Sequence, residues 1–236
     1  MTFSKREDGR DFEDTRPMEA KVGVIPRADG SAYFKIGDTE AYAAVYGPRN
    51  LYPRFLQNPQ RGVLRCFYNM MPFSGSGDRV RPGANRRAKE ISMVTANSLL
   101  PALDLTDFPN AGIDVFIEFP QTDAGSRCAG ITAAAMALAD AGIKMRDLVA
   151  AVAVGRVSDK ILADLDYSEE SYECKEGVAD IPFAMMPCSE QITLLQMDGE
   201  IDKKDFMEGL EMAKRVMKKI NEVQVKALKD KFNVKE

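Results

Sequence analysis

Between residues 19 and 71 the chain alternates apolar and polar side chains in short runs. Period-two alternation broken by Gly, Pro and Asp is the mark of strands and tight turns. Residues 21–26, 31–36 and 41–46 read as three consecutive strands, joined at Ala28-Asp29-Gly30 and Gly37-Asp38-Thr39 and stopped by Gly47-Pro48. After a proline-punctuated loop over 51–60, residues 62–71 form a fourth strand. It carries Val63, Arg65, Phe67 and Asn69 on one face and Leu64, Cys66, Tyr68 and Met70 on the other. The Gly-rich, Arg-rich stretch 74–83 then leads to Asn85, a side chain suited to cap a helix. That helix presents Ile91, Val94 and Ser98 near one face and stops at Pro101. A strand over 112–119 and an Ala-rich helix over 131–141 flank the turn at Gly125.

From residue 149 the pattern restarts. A continuous apolar run over 149–157 reads as a strand buried on both faces, and 161–165, 177–186 and 191–197 follow as strands. Residues 202–231 form one long helix, with Phe206, Leu210, Ala213, Met217 and Ile220 recurring at three- and four-residue steps. The order predicts a mixed α/β (α+β) fold in two similar halves: 17–148 and 149–236. Residues 1–16 form a polar arm, expected to lie on a neighbour or stay loose.

Composition adds bounds. The 236 residues suffice for one large domain or two small ones, and 45% hydrophobic content supports a full core. The net charge is −4, from 32 basic and 36 acidic side chains, so overall charge gives no nucleic-acid signal and any anion site must come from local clustering. No apolar run approaches the ~20 residues of a membrane span, and the N-terminus has no apolar segment of signal-peptide type, which leads us to expect a cytoplasmic protein with no membrane partner. The four cysteines lack metal-ligand spacing and the chain has no histidine, so reduced, mostly buried thiols are expected. Chemistry must therefore run on arginine, carboxylate, hydroxyl and backbone groups.

Those groups concentrate at a few places. Gly125-Ser126-Arg127 lies between a strand and a helix, where free N–H groups, a hydroxyl, a guanidinium and the helix dipole converge in a way that suits phosphate. Arg86-Arg87 open another helix, where cations oppose the macrodipole unless an anion binds. Arg65 sits mid-strand and needs either an acidic partner or a groove. Asp180 lies within an apolar strand, where an acid has either a structural partner or a chemical task. Each of these also has an ordinary structural reading: a surface arginine at a turn, a solvated helix end, or an ion pair.

Taken together, the segments resemble the RNase PH family, most closely its archaeal exosome branch. The resemblance is carried by Asp8-Gly9-Arg10 with Arg16-Pro17, Ala43-Ala44-Val45-Tyr46-Gly47-Pro48-Arg49, Tyr68-Asn69-Met70-Met71-Pro72-Phe73-Ser74, Arg86-Arg87-x-x-Glu90, Asp123-Ala124-Gly125-Ser126-Arg127 and Ala179-Asp180-Ile181-Pro182. It implies the RNase PH fold, with halves like domain 2 of ribosomal protein S5, and 3′-to-5′ phosphorolysis of single-stranded RNA with inorganic phosphate as co-substrate. It also implies a hexameric ring built with a paralogous subunit as a trimer of heterodimers, fed by RNA-binding cap proteins. By the same resemblance Arg87, Gly125, Ser126 and Arg127 hold phosphate, Arg65 and Arg86 contact the RNA backbone, and Asp180 is the catalytic acid and Mg²⁺ ligand.

One segment departs from the family. Where it has Glu-Asp-x-x-Gly-x-Ala-Asp, this chain has Glu173-Cys174-Lys175-Glu176-Gly177-Val178-Ala179-Asp180. Glu173 is taken as the second catalytic acid, with Glu170 as the alternative. The departure also leaves open a ring subunit that binds RNA without cutting it. A third reading is a stand-alone enzyme that trims tRNA ends.

Overall fold

The structure, a computed structural model, describes residues 3, 5–76, 80–81, 85–173 and 177–232. The first half is a five-stranded sheet of order β1-β2-β3-β5-β4, formed by β1 (Met18–Val22), β2 (Gly30–Ile36), β3 (Thr39–Asn50), β4 (Val63–Met70) and β5 (Ala111–Gln121). The second is a four-stranded antiparallel sheet of order β7-β6-β8-β9, from β6 (Ala150–Val157), β7 (Lys160–Ala163), β8 (Val178–Met186) and β9 (Gln191–Leu195). Strand β4 alone runs parallel to its neighbour β5, and α1 (Arg86–Leu99) supplies the crossover that parallel pairing demands.

Helix α2 (Ser126–Asp140) is the centre of the molecule. It packs against β2, β3 and β5 of the first sheet and β6 and β8 of the second. Its residues from Cys128 to Leu138 are buried, as expected of a helix apolar all round. The run Ala133, Ala134, Ala135 and Ala137 lets both sheets come close at no cost in helix propensity. Helix α4 (Lys203–Lys231) closes the far side on β6, β7 and β1, burying Met212, Ala213, Val216, Met217 and Ile220. Gln224, fully buried on α4, donates to the carbonyls of Thr132 and Val149, tying α4 to α2 and to the start of β6.

Two expectations change. Strand β3 does not stop at Gly47-Pro48: a register shift between Tyr46 and Arg49 absorbs the proline, and pairing with β5 resumes to Asn50. The N-terminal arm folds back on its own chain. Arg6, 1% exposed, grips both carboxylate oxygens of Glu169 at 2.8 and 2.7 Å and donates to the carbonyls of Ala163 and Asp164. Phe3 packs with Val157, Leu162 and Leu165 in a small satellite core.

Candidate active site

At the seam between the halves lies an open cavity of about 720 Å³, and Arg87, Gly125, Ser126, Arg127, Glu170 and Asp180 all line it. Arg87 comes from the first turn of α1, whose N-terminus is capped by Asn85 accepting the Ala88 N–H at 2.7 Å. Gly125, Ser126 and Arg127 come from the start of α2.

The turn into α2 is built for an anion. Ala124 and Gly125 are both left-handed, with φ of 56° and 60°. The alanine pays roughly 1–3 kcal/mol for that conformation. Thr39 holds the turn in place: its hydroxyl donates to the Ala124 carbonyl and accepts the Asp123 N–H, each at 2.8 Å. Gly125 at the N-cap offers no side-chain acceptor, so the first N–H groups of α2 receive none from it, at the positive end of the dipole. The Tyr68 hydroxyl donates to the Ser126 oxygen at 2.7 Å, which leaves the serine proton free to donate elsewhere. Arg127 donates to the side-chain oxygen of Gln196, and Gln196 in turn donates to Glu90 at 3.1 Å, so the guanidinium is held from the end of β9 and from α1.

Two carboxyls face these cations. Asp180, on β8, is bridged through its backbone to Asp198 at 2.8 Å in both directions. Its Oδ1 is buried without a hydrogen-bond partner. Burial, seconded by Asp198, pushes its pKa up to about 6 against the pull of Arg127. Glu170 closes α3 (Tyr167–Glu170), a single turn fixed by a capping box between Asp166 and Glu169. Burial and the Asp180 charge push the Glu170 carboxyl up to about 7, opposed by Arg87, the Gly125 N–H and Arg16.

The sign of the linkage follows. Glu170 holds its proton to higher pH in the folded chain than in the unfolded one, so folding is favoured at low pH and loses that contribution as pH rises through about 7. Glu170→Gln is therefore expected to stabilise the free protein at pH 8 by about 1–2 kcal/mol, allowing for the side chain's partial exposure. The gain should vanish below the ordinary carboxyl range. Denaturant titrations of both proteins at pH 8 and pH 4 check it.

The remaining site expectations fall differently. Glu173 is exposed and does not line the cavity, whereas Glu170 does. Cys174 lies outside the described residues. Arg86 is exposed beside the cavity but not in its lining. Arg65 forms a two-pronged pair with Asp114, at 2.6 Å for each contact, beside the stacked rings of Phe67 and Phe116. Five residues along a strand from Met70, which does line the cavity, it stands about 16 Å away along β4. Asp198 also lines the cavity, and nothing in its local sequence, Met197-Asp198-Gly199, signals that.

The models of the 3′ exoribonuclease family match residues 14–144 (domain 1) and 147–216 (domain 2). The exosome complex component Rrp41 of Thermococcus kodakarensis is 50% identical over 228 residues, covering 97% of this chain and 90% of that protein. Rrp41 of Methanopyrus kandleri is 49% identical over 227 residues, covering 96% and 93%. Among solved structures, an Archaeoglobus fulgidus exosome with RNA bound to the active site superposes with a TM-score of 0.77 at 26% identity, covering 92% of each chain. Rice Rrp46 gives a TM-score of 0.83 at 23% identity, covering 95% of this chain and all of the other, a likeness of fold. With both domain models matched and half its residues shared with archaeal Rrp41, the chain belongs to the 3′ exoribonuclease family of RNase PH proteins.

Proposed function

We propose that the protein is a phosphorolytic 3′-to-5′ exoribonuclease subunit of an exosome ring. The observation that carries this reading is the convergence of Arg87, Gly125, Ser126 and Arg127 with Asp180 on one cavity. Attack of one phosphate on another needs charge neutralisation before it needs proton transfer. The two arginines, the serine hydroxyl and the N–H groups of α2 supply it from fixed positions. Inorganic phosphate held there attacks the last phosphodiester of the RNA. The bond from that phosphorus to the 3′-oxygen of the preceding nucleotide breaks, and a nucleoside diphosphate leaves. Asp180, with its pKa held up to about 6, is in range to protonate the departing 3′-oxygen near neutral pH.

Mg²⁺ fits the same place. As the alternative to that proton, the unpartnered Oδ1 of Asp180 in its ionised form would hold it. No set of three or more Cys, Asp or Glu side chains among the described residues could hold a metal unaided, in keeping with an ion that arrives with substrate. When bound, the ion would offset charge developing on the phosphate oxygens.

Arg86, at the cavity edge, and Arg65, on the outer face of the first sheet beside exposed aromatic rings, are proposed to follow the RNA backbone. We further propose a hexameric ring with a paralogous RNase PH-like partner, RNA-binding cap proteins and a cytoplasmic location. The RNA-bound Archaeoglobus fulgidus exosome and the Rrp41 relatives support the ring.

The test is to assemble the chain with its paralogous partner and supply single-stranded RNA with and without phosphate. Nucleoside diphosphates should accumulate only with phosphate. RNA binding without any product would instead support the non-catalytic subunit.

A further inference from the structure

Arg16 lies outside the lining of the cavity. It is 5% exposed and lies just ahead of β1. Its guanidinium takes both oxygens of Asp164, Nε to Oδ2 at 2.9 Å and Nη2 to Oδ1 at 2.7 Å, and its backbone N–H donates to Oδ2 at 2.8 Å. The third nitrogen, Nη1, donates to the backbone carbonyl of Asp123 and to its Oδ2 at 3.1 Å. Asp164 belongs to the second half, between β7 and α3. Asp123 belongs to the first half, in the turn that opens α2. The free oxygen of Asp123 accepts the Tyr167 N–H at 3.1 Å, at the start of the helical turn that ends in Glu170.

One guanidinium therefore spans the seam at the point where the cavity forms. It lies directly behind the phosphate turn: a Cβ built on Gly125 would sit 3.6 Å from Arg16 Nη2. Its stem runs across Gly37, which has φ +56° and no room for a side chain, since a Cβ there would stand 2.3 Å from Arg16 Cδ. The segments it joins are themselves strained, with Ala124 and Asp164 both left-handed at φ 56° and 54°. Such conformations persist only where the surroundings over-determine them.

We propose that Arg16 is a positioning residue for phosphorolysis. It fixes the phosphate turn of the first half against the wall of the second half that carries Glu170 and Asp180. The inference rests on the phosphorolytic reading above. Arg16 touches neither phosphate nor RNA; it acts through Asp123 and Asp164. A lysine keeps the charge but loses the planar fork that reaches both acids at once.

Deleting Arg16 would leave the buried Asp164 carboxylate with Arg10 alone, at 3.6 Å, so the test uses two gentler variants in the assembled ring. Asp123→Asn removes the charged strut while keeping an acceptor for the Tyr167 N–H, and Asp123 is partly exposed. Arg16→Lys breaks the fork from the other end. Each should lower kcat/KM for phosphate roughly 10- to 100-fold, the scale of loss expected when a reacting group shifts by about an ångström. Affinity for an uncleavable RNA should stay unchanged, and Asp123→Asn should melt near the wild-type temperature. The double variant should lose little more than the worse single one, because both cut the same strut. If wild type releases diphosphates and both variants keep wild-type phosphate kinetics while only their melting temperature falls, Arg16 is a structural residue and this inference fails alone. If wild type releases none, the phosphorolytic reading fails and takes this inference with it.

Discussion

Arg127→Ala is expected to lower kcat/KM for phosphate-dependent RNA degradation by about 10²–10³-fold, the usual cost of removing one fixed donor from an anionic transition state. The effect is large because Arg127 serves two partners. It stands at the start of α2, where its charge adds to the free N–H groups of the phosphate cradle. It is also the cation that opposes the upward shift of Asp180. Its loss weakens phosphate binding and lets the Asp180 carboxyl rise further, so the fall in rate comes from the missing phosphate donor and not from a shortage of protonated Asp180. Gln196, just past β9, and Glu90, on α1, hold the guanidinium, so the donor is fixed before substrate arrives. Steady-state rates with phosphate varied at saturating RNA should show the loss. Because Arg127 is partly exposed and not a core side chain, the melting temperature should hardly move. A variant with intact phosphate kinetics and weakened RNA binding would assign Arg127 to the RNA path instead.

Arg6→Ala should destabilise the fold by about 3–5 kcal/mol, the cost of breaking a buried pair from one side. Glu169 is 2% exposed and would be left charged and unpaired. The Ala163 carbonyl would lose the Arg6 donor, and the Asp164 carbonyl would keep only Arg10 at 3.2 Å. Urea unfolding should show a lower midpoint at an unchanged slope. Since Glu169 also caps the turn that presents Glu170, activity should fall under conditions where the variant is still folded. A change below about 1 kcal/mol, the size of an exposed ion pair, would mean that the arm does not hold this place in solution.

How much of this was legible in the sequence depends on whether the signal was local. The turn that lines the cavity was readable because Gly125-Ser126-Arg127 combines a helix start, a hydroxyl and a cation within three positions. Asp180 was readable because an acid inside Val178–Met186 breaks an apolar strand. Helix α4 was readable from its periodicity. The arm was not: its charges look solvated until Arg6 meets Glu169, 163 positions away. The choice of Glu173 over Glu170 followed the family spacing. What decides it is the short turn α3, whose capping box Asp166-x-x-Glu169 was visible in the sequence and fixes which acid faces the cavity. Arg65 showed its need for a partner, but only the parallel register of β4 on β5 identifies that partner as Asp114.

The most direct measurement follows the oxygen atoms. RNA degraded by the assembled ring in ordinary water with ¹⁸O-labelled inorganic phosphate should yield nucleoside diphosphates carrying the label in their terminal phosphate. Nucleoside monophosphates free of label, with their new oxygen drawn from water, would contradict a cavity built around phosphate as the attacking group.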